Sequence, residues 1–406
     1  MRRGTDRSGC GPTGEALRVA LRWRVPDGGG RRRLWLAAGV GLVVAAGIVA
    51  GVLLPDLRAK SAAAARARVA LAAMQAAYYR SKAVTYGNTS SGPSTRWQGP
   101  YAYLWGYSWA LAAVEDVANL PGGRAELPLV RTLASGLQAF WDAGASPPAY
   151  APTMSPGAGA TKYFDDNAWV GLDLVGAWRL THHPAYLRRA QAVLRYERTG
   201  WDRAGGGIYW NDKRLTRNAP SNAPVAELAA RLYLATHQAS DLRFAERIYA
   251  WEKKTLVLPS GFVADNVNAG GMLQGGSWTY NQGTFIGAGV LLYRATGRAS
   301  YLADARKTAR YVLHSMVQPD GAFVPQAQFN GVLADNLVLL AHAGGVPGLR
   351  AALRRNARLA WSHDRTATGL FGSNWAGPPP QPSSLLPELT QTGAVRTLAA
   401  AAAVTP

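Results

Sequence analysis

From residue 60 onward, apolar residues recur at helical spacing in block after block, separated by short polar or glycine-rich links. This spacing predicts about twelve helices, near 60–83, 101–119, 126–143, 164–180, 185–199, 222–237, 241–255, 280–296, 299–317, 331–343, 347–362 and 384–402. The blocks alternate in kind. The odd-numbered ones carry charge along one face, as in "LRRAQAVLRYER", "LRFAERIYAWEKK" and "LRAALRRNARLAW", the pattern of an outer, half-solvated helix. The even-numbered ones, such as "TYNQGTFIGAGVLLYRA", are apolar nearly all round but open on polar and aromatic residues. Such helices belong inside.

The chain also repeats itself. "WRLTHHPAYLRRA" from Trp178, "YLATHQASDLRFA" from Tyr233 and "YRATGRASYLADA" from Tyr293 share one pattern at offsets of 55 and 60 residues. In each, an apolar helix ends at a Thr-His or Thr-Gly turn and a short link begins the next helix. A period of that length marks a helical repeat. Six outer and six inner helices closing in a ring define an all-α (α/α)6 toroid. An open solenoid is the structural alternative, but polar openings on so many inner helices suggest convergence on one site.

Loop lengths select the functional face. Links into outer helices are short, whereas links into inner helices are long: "GWDRAGGGIYWNDKRLTRN", "LPSGFVADNVNAGGMLQGGSW", "DGAFVPQAQFN" and "TGLFGSNWAGPPPQ". Glycine followed by an apolar residue recurs in them at Gly207, Gly261, Gly321 and Gly369. Long loops in a compact domain usually carry function.

The N-terminus reads differently. Residues 34–54, "LWLAAGVGLVVAAGIVAGVLL", contain no charged or polar side chain. At ~1.5 Å per residue they would cover ~30 Å, the thickness of a bilayer core. Arg31, Arg32 and Arg33 precede them, so the positive-inside rule leaves residues 1–33 as a basic cytoplasmic tail. A single-pass signal anchor over 34–54 is expected, with residues 55–406 outside the membrane and part of the cell envelope. The alternative is a cleaved leader processed near Ala62 to Ala65, which would make the domain secreted. The only cysteine, Cys10, falls on the cytoplasmic side, leaving the outer domain without disulfides. The net charge of +20 is unusual for a cytosolic enzyme. Its arginines are scattered through helical patterns rather than run together, so nucleic acid is not an expected partner, while anionic envelope polymers or lipid headgroups fit.

One heptapeptide carries the chemistry. "YFDDNAW", residues 163–169, puts Asp165 and Asp166 side by side between aromatic rings where the fourth helix begins. A single Asp there would be read as a cap or a partner of the helix dipole. Two in contact, on the long-loop face, raise the cost of ionising both. Paired carboxylates beside a sugar-sized aromatic cleft are the equipment of glycoside hydrolysis. A retaining enzyme needs its two carboxyls only ~5–5.5 Å apart, which neighbours on a helix's first turn can reach, whereas an inverting pair at ~6.5–9.5 Å would come from different loops.

Together, Asp165-Asp166-x-Ala-Trp, "GWD…GGGIYWN" at 200–211, "RNAPSNAP" at 217–224 and "WTYNQG" at 278–283 make the chain resemble glycoside hydrolase family 76, the endo-α-1,6-mannanases of bacteria and fungi. The resemblance covers roughly 75 to 400 with its motifs in order. It implies the (α/α)6 fold, a retaining mechanism and an α-1,6-linked mannan substrate. It also implies that Asp165 is the nucleophile and Asp166 the acid/base, and that Tyr280 to Gly283 lie in the cleft. The chain departs from the family pattern at Ser221-Asn222-Ala223-Pro224, where an acidic residue is usual, and at Phe329-Asn330-Gly331, where the family has Phe-Lys-Gly. Both changes bear on subsite specificity rather than on the chemistry.

The expected substrate-binding set is Trp210, Asn211, Asn218, Tyr280, Asn281 and Gln282. Trp210 and Asn211 read equally as a sugar platform with a hydroxyl partner and as a rigid turn after three glycines. Tyr280, Asn281 and Gln282 read as ligand groups in competition with helix capping. Trp169 and Trp278 read as core. The six histidines fall mostly in the short turns, with no HExxH or other ligand spacing, and the Gly205–Gly207 run lacks the Lys-Ser/Thr of a phosphate loop. No cofactor and no metal are expected, and the enzyme is expected to act as a monomer on mannan-type polysaccharide or oligosaccharide. Two other classes stay open: another sugar enzyme on the same toroid (an epimerase or an unsaturated-uronide hydrolase), and a silent glycan-binding envelope protein.

Overall fold

A computed structural model describes residues 56–90, 101–157 and 159–405. The expected signal anchor, 34–54, and the basic tail before it lie outside the described residues. Among the described residues no helix is long and apolar enough to cross a membrane.

Twelve helices are present among the described residues: α1 (56–78), α2 (Leu104–Ala118), α3 (Leu127–Gly136), α4 (Phe164–Thr181), α5 (Pro184–Glu197), α6 (Ala219–Thr236), α7 (Ala239–Thr255), α8 (Thr279–Thr296), α9 (Ala299–Ser315), α10 (Ala327–His342), α11 (Leu349–Leu359) and α12 (Glu388–Ala403). The even-numbered helices form the inner ring. Each packs on the next, and α12 returns to α2, so the ring is closed rather than a solenoid. The outer helices lie antiparallel to their inner neighbours. They bury one stripe, such as Phe244, Ile248 and Tyr249 of α7, and leave the charged face in water. The seam between chain ends is tied by side chains as well. The Tyr78 hydroxyl donates to the Leu386 carbonyl at 2.9 Å, and the Arg66 guanidinium lies 5.6 Å from the Trp361 ring.

The repeat has a local physical cause at each end of the inner helices. At their C-termini, His182, His237 and Gly297 adopt the left-handed conformation (φ 55°, 57° and 71°) and donate their N–H to Trp178, Tyr233 and Tyr293. This is the turn the Thr-His and Thr-Gly dipeptides encode. At the N-termini, the fourth residue of five inner helices is an amide that clasps the backbone of the preceding loop. Asn167 exchanges hydrogen bonds with both backbone groups of Tyr150, Asn222 with Ile208, Gln282 with Val263 and Gln391 with Phe371, while Asn330 donates to the Val324 carbonyl. Each clasped strand follows a tight turn, and Gly207, Gly261 and Gly369 hold φ of 82°, 96° and 86° there, which only glycine adopts freely.

These clasps explain where helix boundaries differ from expectation. The sequence pattern starts α6 at 222 and α10 at 331, but the helices begin at Ala219 and Ala327. Their first turns are polar because they hold the clasp, and Pro220 is tolerated where no intrahelical N–H bond is needed. Conversely, α3 stops at Gly136, short of the expected 143, and Trp141–Asp142 pairs instead as a short strand with Ala149–Tyr150.

Candidate active site

The N-terminal ends of the inner helices line a cleft, and α4 brings both acids to it. Tyr163 is extended and bridges Asn211, and the Phe164 N–H donates to the Trp210 carbonyl at 2.9 Å. The 200–218 loop is thereby clamped against the start of α4. Asp165 accepts two hydrogen bonds, from the Asp166 backbone N–H and from the Trp210 indole N–H, each at 3.1 Å. Both carboxyls remain half-buried.

The two acids differ in electrostatic setting. Burial pushes the Asp165 carboxyl up to about 7; the Asp166 N–H and the Trp210 indole oppose that rise, and the Asp265 charge adds to it. Asp166 is driven well above the carboxylate range, by burial and then by the Asp165 charge, with no hydrogen bond to its ionised form holding it down. Burial thus raises both carboxyls, and only Asp165 has donors that favour its ionised form, the Asp166 N–H and the Trp210 indole.

A third carboxylate completes the group. Asp265 accepts from the Asn281 and Asn266 amides at 3.1 Å each. It is carried here because Arg217–Asn218 pairs with Asn266–Val267, and its carbonyl receives the Ala219 N–H. Tyr280 lies nearby, its ring stacked on Phe329 at 4.4 Å, and burial followed by the charges of Asp165 and Asp265 raises its hydroxyl well above the ordinary tyrosine value. Beneath them, Trp109 meets Trp169 edge-on at 5.6 Å and packs with Val332, Trp105, Tyr280 and Phe329, so an aromatic plug forms the cleft floor.

The residues singled out from the sequence fall into two sets. Asp165, Asp166, Trp210 and Tyr280 share the cleft, and Trp210 is 38% exposed there. Asn218 caps the start of α6 beside them, with its side-chain oxygen buried and unpartnered. Asn281 is fully buried and reaches the cleft only through Asp265. Gln282 differs from expectation. It is fully buried, its oxygen accepts the Val263 N–H at 2.8 Å, and its nitrogen donates to the Val263 and Trp278 carbonyls, which leaves no group for a sugar. Asn211 is likewise a turn residue, 6% exposed, with its oxygen on the Lys213 N–H. Trp169 is buried in the plug, and the half-buried Trp278 packs edge-on against Phe329 at 5.4 Å. Trp105 was not expected as a cleft residue, while Asp265, a carboxylate of the long-loop face, and Phe329, at the expected cleft rim, were outside the expected binding set. The "YAYLWGYSW" opening of α2, with Tyr101 and Tyr103 exposed beside Trp105, carries the same aromatic signal as "YFDDNAW" and could have pointed to Trp105. Among the described residues no group of three His, Cys, Asp or Glu is placed to hold a metal.

A closed α/α toroid with paired acids in an aromatic cleft defines a class, the carbohydrate-active toroids. Within that class the chain belongs to glycosyl hydrolase family 76, whose model matches residues 61–402. Among similar proteins is the GH76A α-1,6-mannanase from Salegentibacter sp. HEL1_6, at 27% identity and a TM-score of 0.73, covering 84% of this chain and 99% of that one. An inactive variant of that enzyme, with two adjacent aspartates changed to asparagine, has been solved with α-1,6-mannotriose (26% identity, TM-score 0.73, with the same coverage of 84% and 99%). Mannan endo-1,6-α-mannosidase DCW1 of Saccharomyces cerevisiae is 30% identical over 29% of this chain and 29% of its own length. Its Candida glabrata counterpart is 31% identical over 28% of each. The match thus spans under a third of these curated relatives.

Proposed function

We propose that the chain is a retaining endo-α-1,6-mannanase that cleaves α-1,6-linked mannan or mannose-containing envelope glycans. The observation that carries this reading is the unequal pair Asp165 and Asp166, contiguous on the first turn of α4 in an aromatic cleft. The adjacent aspartates whose loss gave the inactive, mannotriose-bound Salegentibacter variant support it.

In this mechanism the Asp165 carboxylate attacks the anomeric carbon while Asp166 gives its proton to the departing glycosidic oxygen. A glycosyl ester on Asp165 results. Asp166, now ionised, takes a proton from water as that water displaces Asp165, and the sugar leaves with its starting configuration. The Trp210 indole holds Asp165 ionised and its exposed face stacks on a sugar ring. Tyr280 and Asp265, the latter oriented by Asn281, bind hydroxyls of the sugar being cleaved, and Asn218 lies at the same rim. The anchor reading of 34–54 rests on the sequence, and with it this catalytic domain is displayed outside the membrane as a monomer.

Incubating the full chain with linear α-1,6-mannooligosaccharides, followed by chromatography, tests the reading. Shortened α-1,6 products from internal cleavage are expected. Intact oligosaccharides together with release from another α-linked polymer would replace this substrate assignment.

A further inference from the structure

The end of the toroid opposite the cleft has a character of its own. Inner helices run from the cleft toward it, so Arg179 of α4 stands fourteen residues, or ~21 Å, along the helix from Asp165. Outer helices run the other way, so α1 begins at this back end, at residue 56. Here Lys60 of α1, Arg179 of α4, Arg231 of α6 and His342 of α10 line one cavity, and Arg294 of α8 and Arg350 of α11 lie beside it on the α10 carbonyls of Leu339 and Ala341. Their charges act on one another. Burial and then Arg231 and Arg294 depress Arg179; burial and then Arg231 depress Arg294; and burial followed by Arg350, Arg294 and Lys60 depresses His342.

Several acids at or near this end are engaged, Glu227 with Arg231 at 3.3 Å among them, although Glu115 keeps one buried carboxyl oxygen without a partner. Asp241 pairs with Arg198 at 2.7 Å, Asp304 with Lys253 at 2.6 Å and Glu246 with Arg298, while Asp116 and Asp335 turn inward to Arg396. Two of the cations answer only backbone carbonyls: Arg294 that of Leu339 and Arg350 that of Ala341. Arg179, Arg294, His342 and Arg350 are exposed, and so is the apolar Leu57 (57%) on the first turn of α1. The uncharged stretch 34–54 ends at the residue before Pro55, immediately ahead of α1.

We propose that this back end docks on an anionic lipid surface, with Lys60, Arg179, Arg294 and Arg350 as its contact ring and Leu57 at the membrane edge. Charge complementarity selects the occupant, and in the sequence the uncharged stretch 34–54 directly precedes α1, whose first turns carry Leu57 and Lys60. The cleft then faces away, toward envelope polymers. Each basic side chain in the surface potential of an anionic leaflet strengthens attachment about fivefold, so a ring of four outweighs Asp56 and Glu126 at this end. The inference does not depend on the mannanase reading, because its test measures no activity.

The test places the full chain in vesicles of phosphatidylcholine alone or with phosphatidylglycerol, then follows acetylation by a water-soluble reagent using peptide mass spectrometry. Lys60 reports the back end, and exposed Lys213, in the 200–218 loop, reports the cleft end. Lys60 should be modified several-fold more slowly on the anionic vesicles, Lys213 equally on both, and raised salt should release Lys60. Arg179→Glu combined with Arg294→Glu should abolish the protection. Equal Lys60 rates on the two lipids would overturn the proposal, as would protection of Lys213 in its place or Lys60 protection that persists without lipid through contact between copies. The salt arm uses the unaltered chain, so the proposal stays testable even if the double variant misfolds.

Discussion

Replacing Trp210 by Phe keeps an aromatic face in the cleft and removes one atom group, the indole N–H that donates to Asp165 at 3.1 Å. A hydrogen bond to a charged partner is worth ~1.5–3 kcal/mol net. Trp210 is 38% exposed, so water can replace part of the bond, and ~1 kcal/mol is the figure to carry forward. At 1.36 kcal/mol per unit, that raises the Asp165 pKa by about 0.7. The sign follows because a donor to the ionised form lowers the pKa and its loss lets it climb. Starting from about 7, the ionised fraction at pH 6 falls roughly fivefold, whereas at pH 8.5 it changes by only about a tenth. The assay is kcat/KM on an α-1,6-mannooligosaccharide from pH 5 to 9, whose acid limb reports the pair's first macroscopic ionisation. An upward shift of the acid limb with little loss on the alkaline side is expected. A loss of equal size at every pH would make Trp210 a platform with no hold on Asp165. An unmoved acid limb would show that the group that must ionise is not Asp165.

Four further outcomes are expected. Asp165→Asn and Asp166→Asn should each lower turnover by ~10³-fold or more while the melting temperature stays within a few degrees; near-normal turnover in either would remove that residue from the chemistry. Proton NMR in the first minutes, before mutarotation, should show the α anomer released first, because two displacements restore configuration; β first would require a base from elsewhere, with Asp265 placed nearest. Gln282→Leu should cost about 2–3 kcal/mol of stability, because the Val263 backbone groups lose their buried partner, and any rise in KM should accompany that loss through Tyr280; an altered KM with full stability would return Gln282 to the substrate set. Glu227, buried and pushed up to about 7 although Arg231 pulls it down, binds its proton more tightly folded than unfolded. Its contribution is present below the unfolded value and lost as pH rises through 7, ~3 kcal/mol in all, so Glu227→Gln should narrow the difference in melting temperature between pH 5 and pH 8.

The ring was legible in the chain because its period is written in hard local chemistry. A left-handed C-terminal turn after a Thr, at His182, His237 and Gly297, marks where each of three inner helices stops, and their apolar bodies leave no ambiguity about which helices are inside. The cleft was less legible because two kinds of polar residue open the inner helices and look alike in sequence. Gln282 and Asn281 are neighbours, yet one serves the Val263 backbone and the other a carboxylate. Asp265 could be placed only on the long-loop face, alongside Asp335, since its position depends on a strand pairing between residues 217–218 and 266–267 that no local pattern announces.

The clasp resolves the ambiguity between those two kinds of residue. In α4, α6, α8, α10 and α12 the amide is the fourth helical residue, and it fixes the rotation of the first turn against the loop behind it. The third and second residues are then turned by ~100° and ~200° from it. Those positions hold Asp165-Asp166, Pro220-Ser221, Tyr280-Asn281, Gln328-Phe329 and Leu389-Thr390. Only on α4 are both acidic. One helix of the ring thus supplies the proposed reactive pair, two others supply Tyr280 and the Phe329 on which it stacks, and the clasp that occupies Gln282 orients its two predecessors toward the site. A variant that loosens the clasp on α4, Asn167→Leu, should for that reason lower kcat through misplacement of Asp165 and Asp166, whereas Gln282→Leu on α8, which carries neither acid, should lower stability and affect kcat far less. Equal effects on kcat from both would mean that first-turn rotation is not what positions the acids.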